Sequence, residues 1–68
     1  MDKQFLISIE TNTTSESISS HQLLRDAKMW VDTYLTTKKS EYIESENPSI
    51  VIWEGDYMVQ YIPFFLIN

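Results

Sequence analysis

What this chain lacks narrows its chemistry. It has no cysteine, which excludes a disulfide framework and any thiolate-held metal. Its single glycine excludes a Gly-rich loop that cradles phosphates, and no serine stands in a nucleophile-elbow context. Cations are scarce, with five Lys and Arg against ten Asp and Glu and a formal net charge of -5 at pH 7. Direct binding to a nucleic-acid backbone needs clustered Lys and Arg to displace counterions, so it is not expected. An acidic surface suits a basic protein partner, and it also keeps a small domain soluble. Long apolar runs are missing too. Tyr61-Ile62-Pro63-Phe64-Phe65-Leu66-Ile67 is much too short to span a bilayer, and the stretch after Met1-Asp2-Lys3 offers no apolar core for a signal peptide. The expectation is no membrane partner and a cytoplasmic location, that of a bacterial host if the gene is phage-borne.

The 68 residues make one domain, residues 1–68. A chain of this length buries only about 60% of its unfolded surface. With neither disulfide nor metal, stability has to come from an efficient small core or from self-association.

The most strongly patterned stretch runs from Ser20 to about Lys39. Leu23, Ala27, Trp30 and Tyr34 form one apolar stripe and Leu24, Val31 and Leu35 a second beside it, the broad face of a helix packed on a sheet. Ser19 as N-cap places Gln22 at the third helical position, a capping box, with Ile18 and Leu23 as its hydrophobic staple. Lys38 and Lys39 lie beside the last carbonyls, the favourable sign for the helix dipole.

Ahead of the helix, Gln4 to Glu10 alternates, with Phe5, Ile7 and Ile9 on one side and Gln4, Leu6, Ser8 and Glu10 on the other, as in a half-buried strand. Thr11 to Ser17 has no periodicity and reads as a polar connection. After the helix, Ser40 to Ser49 holds Glu41, Glu44 and Glu46 and ends in Asn47-Pro48, which disfavours further helix. Two β-rich runs follow, 49–54 and 57–62, separated by Gly55-Asp56, the two-residue loop of a type II′ or I′ hairpin. A regular hairpin pairs Glu54 with Tyr57, Trp53 with Met58, Ile52 with Val59, Val51 with Gln60 and Ile50 with Tyr61. One face then carries Ile50, Ile52, Val59 and Tyr61, the other Val51, Trp53, Met58 and Ile62.

These elements predict an α+β fold: a small β-α-β-β domain with a three-stranded sheet and one long helix on one face. A short fourth strand at the C-terminus is a further option. A crossover makes the first two strands parallel, and the last strand between them gives the order 1-3-2. The helix covers the Ile50, Ile52, Val59 and Tyr61 face together with Phe5, Ile7 and Ile9. The opposite hairpin face stays open, and a contiguous exposed apolar patch on a small protein marks an interface. Val51, Trp53, Met58, Ile62, Phe64 and Phe65 are therefore the candidate partner-binding residues.

No residue set points to catalysis, a metal or a cofactor. His21, the single histidine, has neighbours that capping explains and reads as structural or merely exposed. Glu41, Glu44 and Glu46 lack the dense, Gly-kinked array of a hard-cation loop. Trp53, Tyr57 and Tyr61 could stack on bases, yet no basic groove accompanies them.

Glu16-Ser17-Ile18, just before the helix of an acidic small protein, resembles the Glu-Ser-Ile segment of the uracil-DNA glycosylase inhibitors, phage-type proteins that mimic DNA. The resemblance covers these three residues. It implies that Glu16 and Ser17 enter the enzyme's DNA-binding cleft while apolar residues between helix and sheet grip a protruding loop of that enzyme.

Three functional expectations follow. The leading one is a non-enzymatic interaction module of the kind small phage or mobile-element genes encode, which binds and inhibits a host or competitor protein through the open hairpin face. The second is an acidic DNA mimic that inhibits a nucleic-acid-binding enzyme such as a DNA glycosylase or nuclease, with Glu16, Glu41, Glu44 and Glu46 replacing phosphates. The third is a homodimer held by the apolar face and the tail from Phe64 to Ile67.

Overall fold

A computed structural model describes residues 4–65. Two hairpins flank one helix. Strands β1 (Phe5–Glu10) and β2 (Ser15–His21) form the first hairpin, and helix α1 (Leu24–Lys38) follows. Two single 3-10 turns, Lys39–Glu41 and Glu44–Glu46, lead into the second hairpin, β3 (Ser49–Glu54) and β4 (Tyr57–Pro63). The four strands make one sheet in the order β2-β1-β3-β4, every neighbouring pair antiparallel.

The α+β class and the one-sided helix agree with the sequence reading, but the element order is β-β-α-β-β. The fourth strand lies before the helix, in the stretch expected to be a loop and the first helical turn. It exists because Thr11 closes a tight hairpin. Its N–H donates to the Thr14 carbonyl at 2.9 Å, and its hydroxyl accepts from the Thr14 N–H at 3.0 Å. Such hydroxyl contacts are the usual way Thr stabilises a turn. The returning residues then pair with β1 from Glu10↔Ser15 to Phe5↔His21.

The expected capping box is absent. The Ser19 hydroxyl bonds Nε2 of His21 at 2.8 Å, and the N-cap is Leu23, with no side-chain cap. Ile18 packs into the core from β2 rather than stapling the helix. The expected strand order also changes. The split β-α-β unit is β2-α1-β3, because two strands antiparallel to β1 run parallel to each other, and β1 lies between them.

Ala27 and Val31 on α1 are fully buried against Ile7, Ile9, Ile50, Ile52 and Phe64. Leu24, Trp30, Tyr34 and Leu35 pack around this centre, so most of the predicted stripe does face the sheet. Ile7 lies opposite Ile52 and Ile9 opposite Ile50, pairs of β-branched side chains that suit a half-buried pleated surface.

The second hairpin turns where expected. Gly55 has φ 61°, and Asn47 is the one non-glycine residue with positive φ among the described residues. Asp56 therefore has negative φ, which excludes type I′ and fits type II′ with glycine first. The pairs Glu54↔Tyr57 and Trp53↔Met58 are present, but Ile52 then pairs with Gln60, Val51 with Tyr61 and Ile50 with Ile62. Val59 is the extra residue of a β-bulge. The bulge reverses the faces of the residues beyond it, so Ile62 packs toward the helix and Tyr61 points away, the opposite of the regular-hairpin reading.

Both sheet edges are blunted. Strand β2 has its own bulge at Ile18, between the pairs Ile7↔Ser19 and Ser8↔Ser17. Strand β4 has the Val59 bulge and ends at Pro63, which has no N–H to offer a further strand.

Candidate functional site

The sheet face away from α1 is built by alternation. It takes Leu6, Ser8 and Glu10 from β1, Val51 and Trp53 from β3, Met58 and Tyr61 from β4, and serines 15, 17 and 20 from β2. Trp53 lies opposite Leu6, yet its indole N–H donates to the hydroxyl of Ser8, the partner of Val51, at 2.9 Å. The ring therefore reaches diagonally back toward the Ser8–Val51 pair. The Ser8 hydroxyl in turn donates to Oε2 of Glu10 at 2.8 Å, and the Ser15 hydroxyl donates to the same oxygen at 2.8 Å. This chain runs from β3 through β1 to β2 and fixes the tryptophan. It also engages the carboxylate of Glu10.

The candidate partner-binding residues separate on this framework. Met58 is 45% exposed and Trp53 half-buried on the open face. Val51 is also on that face but only 1% exposed, so it supports the surface without presenting one. Ile62 is on the helix side and Phe64, 3% exposed, is a core residue, so neither contributes to an exposed patch as expected. The Phe64 N–H donates to the Pro48 carbonyl at 2.9 Å, which turns the chain back over the core. Phe65 packs beside it, with Nζ of Lys39 5.3 Å above its ring. The remaining tail residues, Leu66 and Ile67, lie outside the described residues. Two further residues of this face are exposed: Leu6, visible as an apolar residue on the polar side of its strand, and Tyr61, 54% exposed, whose side depends on the bulge.

Of the acidic candidates, Glu16 and Glu41 both act electrostatically on Tyr42. Glu41 pairs with Lys38 at 3.4 Å, and Glu44 begins the second 3-10 turn, where its carbonyl accepts the Asn47 N–H at 3.0 Å. Glu16 and Glu46 both line a groove of about 350 Å³ on the helix side, whose wall includes Ile9 of the core. Glu16 points there because it lies opposite Ile9 on the inner face of β2. The groove also holds Tyr34 and Tyr42, whose hydroxyls are 2.6 Å apart. Burial, then the bond to Tyr34, then the charges of Tyr34, Glu41 and Glu16 push the Tyr42 hydroxyl far above the ordinary tyrosine range.

His21 is half-buried, its ring 5.9 Å from that of Trp30. No cluster of three His, Cys, Asp or Glu placed to hold a metal occurs among the described residues. No helix among them is long and apolar enough to cross a membrane. No protein-family model, no curated protein and no solved structure matches this chain.

Proposed function

We propose that this protein is a non-enzymatic interaction module that binds another protein through the uncovered face of its sheet. The carrying observation is that Leu6, Met58 and Tyr61 are exposed around the fixed indole of Trp53, on the layer that has no helix. Apolar surface presented on a rigid sheet costs little ordering when it is covered, which favours its use as an interface. The net charge of -5 and the engaged Glu10 describe the partner: an apolar contact surface ringed by neutral or basic groups. The outcome for the partner is inhibition or redirection, since a chain this small presents surface rather than an enclosed site for chemistry.

The test uses Met58→Ser with Tyr61→Ser, two exposed positions whose replacement leaves the core intact. Wild-type protein is expected to retain a heterologous protein from source-cell lysate that the folded double variant loses. Equal retention by both proteins overturns the proposal. Concentration-dependent sedimentation of the purified protein would instead assign the face to a second copy.

A further inference from the structure

We propose that the groove between β2 and the Glu44–Glu46 turn is a second, separate binding site, which receives one basic side chain, arginine or lysine, of a protein. It lies on the helix side of the sheet and does not depend on the open-face reading. Its size, about 350 Å³, is at the low end for ligand pockets and fits a side chain better than a larger molecule. Ile9 and Ile18 supply apolar wall, which suits the methylene stem of a long basic side chain. Glu16 and Glu46 supply the charge, and the Tyr34 and Tyr42 oxygens can accept from its N–H groups.

The charge of this site is uncompensated. Among the described residues neither Glu16 nor Glu46 has an ion pair, and the two lysines that precede Glu46 in the chain are engaged elsewhere, Lys38 with Glu41 and Lys39 over Phe65. The walls are also fixed in advance. The Asn12 N–H donates to the Glu46 carbonyl at 2.9 Å, Nδ2 of Asn12 to the Ser45 carbonyl at 3.2 Å, and Nδ2 of Asn47 to Oδ1 of Asn12 at 3.2 Å. These bonds clamp the β1-β2 turn to the 3-10 turn, so little ordering cost remains for binding. Anions are repelled by two carboxylates. A bare metal ion gains nothing from isoleucine walls, and the described residues bring no third carboxylate, His or Cys to it. A cation on an apolar stem uses every part of the lining.

Titration of the intact protein with acetyl-Gly-Arg-Gly-amide, followed by amide and tyrosine NMR shifts, tests the assignment. Saturable shifts at Thr11, Glu16, Tyr34, Tyr42 and Glu46 are expected, weakening as salt is raised. The lysine peptide should bind the same residues, and the citrulline peptide, isosteric but uncharged, should not bind. Glu16→Gln with Glu46→Gln should weaken binding by about tenfold or more while the rest of the spectrum keeps its folded dispersion. Equal shifts with the citrulline peptide overturn the proposal, as do shifts centred on other residues. Binding of free agmatine without binding of either basic peptide also overturns it, because the source would then be a small cation and not a protein side chain.

Discussion

The indole N–H of Trp53 and the hydroxyl of Ser8 meet at 2.9 Å across the β1–β3 ladder. This bond holds the largest side chain of the open face in place and closes it over Val51, which is buried without any helix above it. Removing the donor with Trp53→Phe should cost about 1 kcal/mol, the usual net value of one hydrogen bond. Urea unfolding would show this as a lower midpoint with an unchanged slope. Ser8→Ala combined with Trp53→Phe should cost less than the sum of the two, because they share the bond. Strict additivity would show that the contact contributes no coupling.

Gln60 is on the helix side only because of the Val59 bulge, and its Oε1 is buried without a hydrogen-bond partner among the described residues. A buried acceptor left unpaired is destabilising, whereas an apolar group of similar shape loses nothing there. Gln60→Met should therefore raise stability by on the order of 1 kcal/mol, read as a higher melting temperature. A fall would mean that the amide has a partner in solution.

Tyr42 gives a pH signature. Its folded-state hydroxyl is held above the ordinary tyrosine range, chiefly by burial, so the folded chain keeps a proton that the unfolded chain releases. The stabilisation from this group is complete below the unfolded tyrosine value of about 10 and is lost as pH rises above it. Denaturation midpoints measured from pH 9 upward should fall in the wild type. They should fall less steeply in Tyr42→Phe, and parallel slopes would remove Tyr42 as the cause.

Phe64 tests where the apolar tail belongs. As a core residue edge-on to Tyr42, with ring centroids 4.5 Å apart, its loss in Phe64→Ala should cost about 3 kcal/mol or more. That is a large part of what so small a domain has. A variant with unchanged stability that instead lost self-association would return this residue to an interface.

Much of the fold is legible in the sequence where one physical signal acts alone. The alternation of Phe5, Ile7 and Ile9, the stripe through Ala27 and Val31, and the turn at Gly55 all locate their elements. Strand β2 is not legible, since Ser15-Glu16-Ser17-Ile18-Ser19-Ser20-His21 has one apolar residue and no period. It forms because β1 offers a free edge and Thr11 closes the turn. The same serines, followed by Gln22, imitate a helix cap. The bulge at Val59 has no local mark either, because valine suits a regular strand equally well. That single extra residue decides whether Tyr61 or Ile62 reaches solvent, so it alters the candidate surface more than any other feature. The groove escapes a sequence reading for another reason: Asn12 and Glu46 are joined only by the tertiary fold.

The most direct test of the open face as the working surface is photo-crosslinking inside source cells. A benzophenone side chain would replace either Tyr61 on the open face or Asp32 on the exposed side of α1. The expected result is a discrete heterologous adduct from position 61 and none from position 32. Adducts from position 32 alone would contradict the open-face reading.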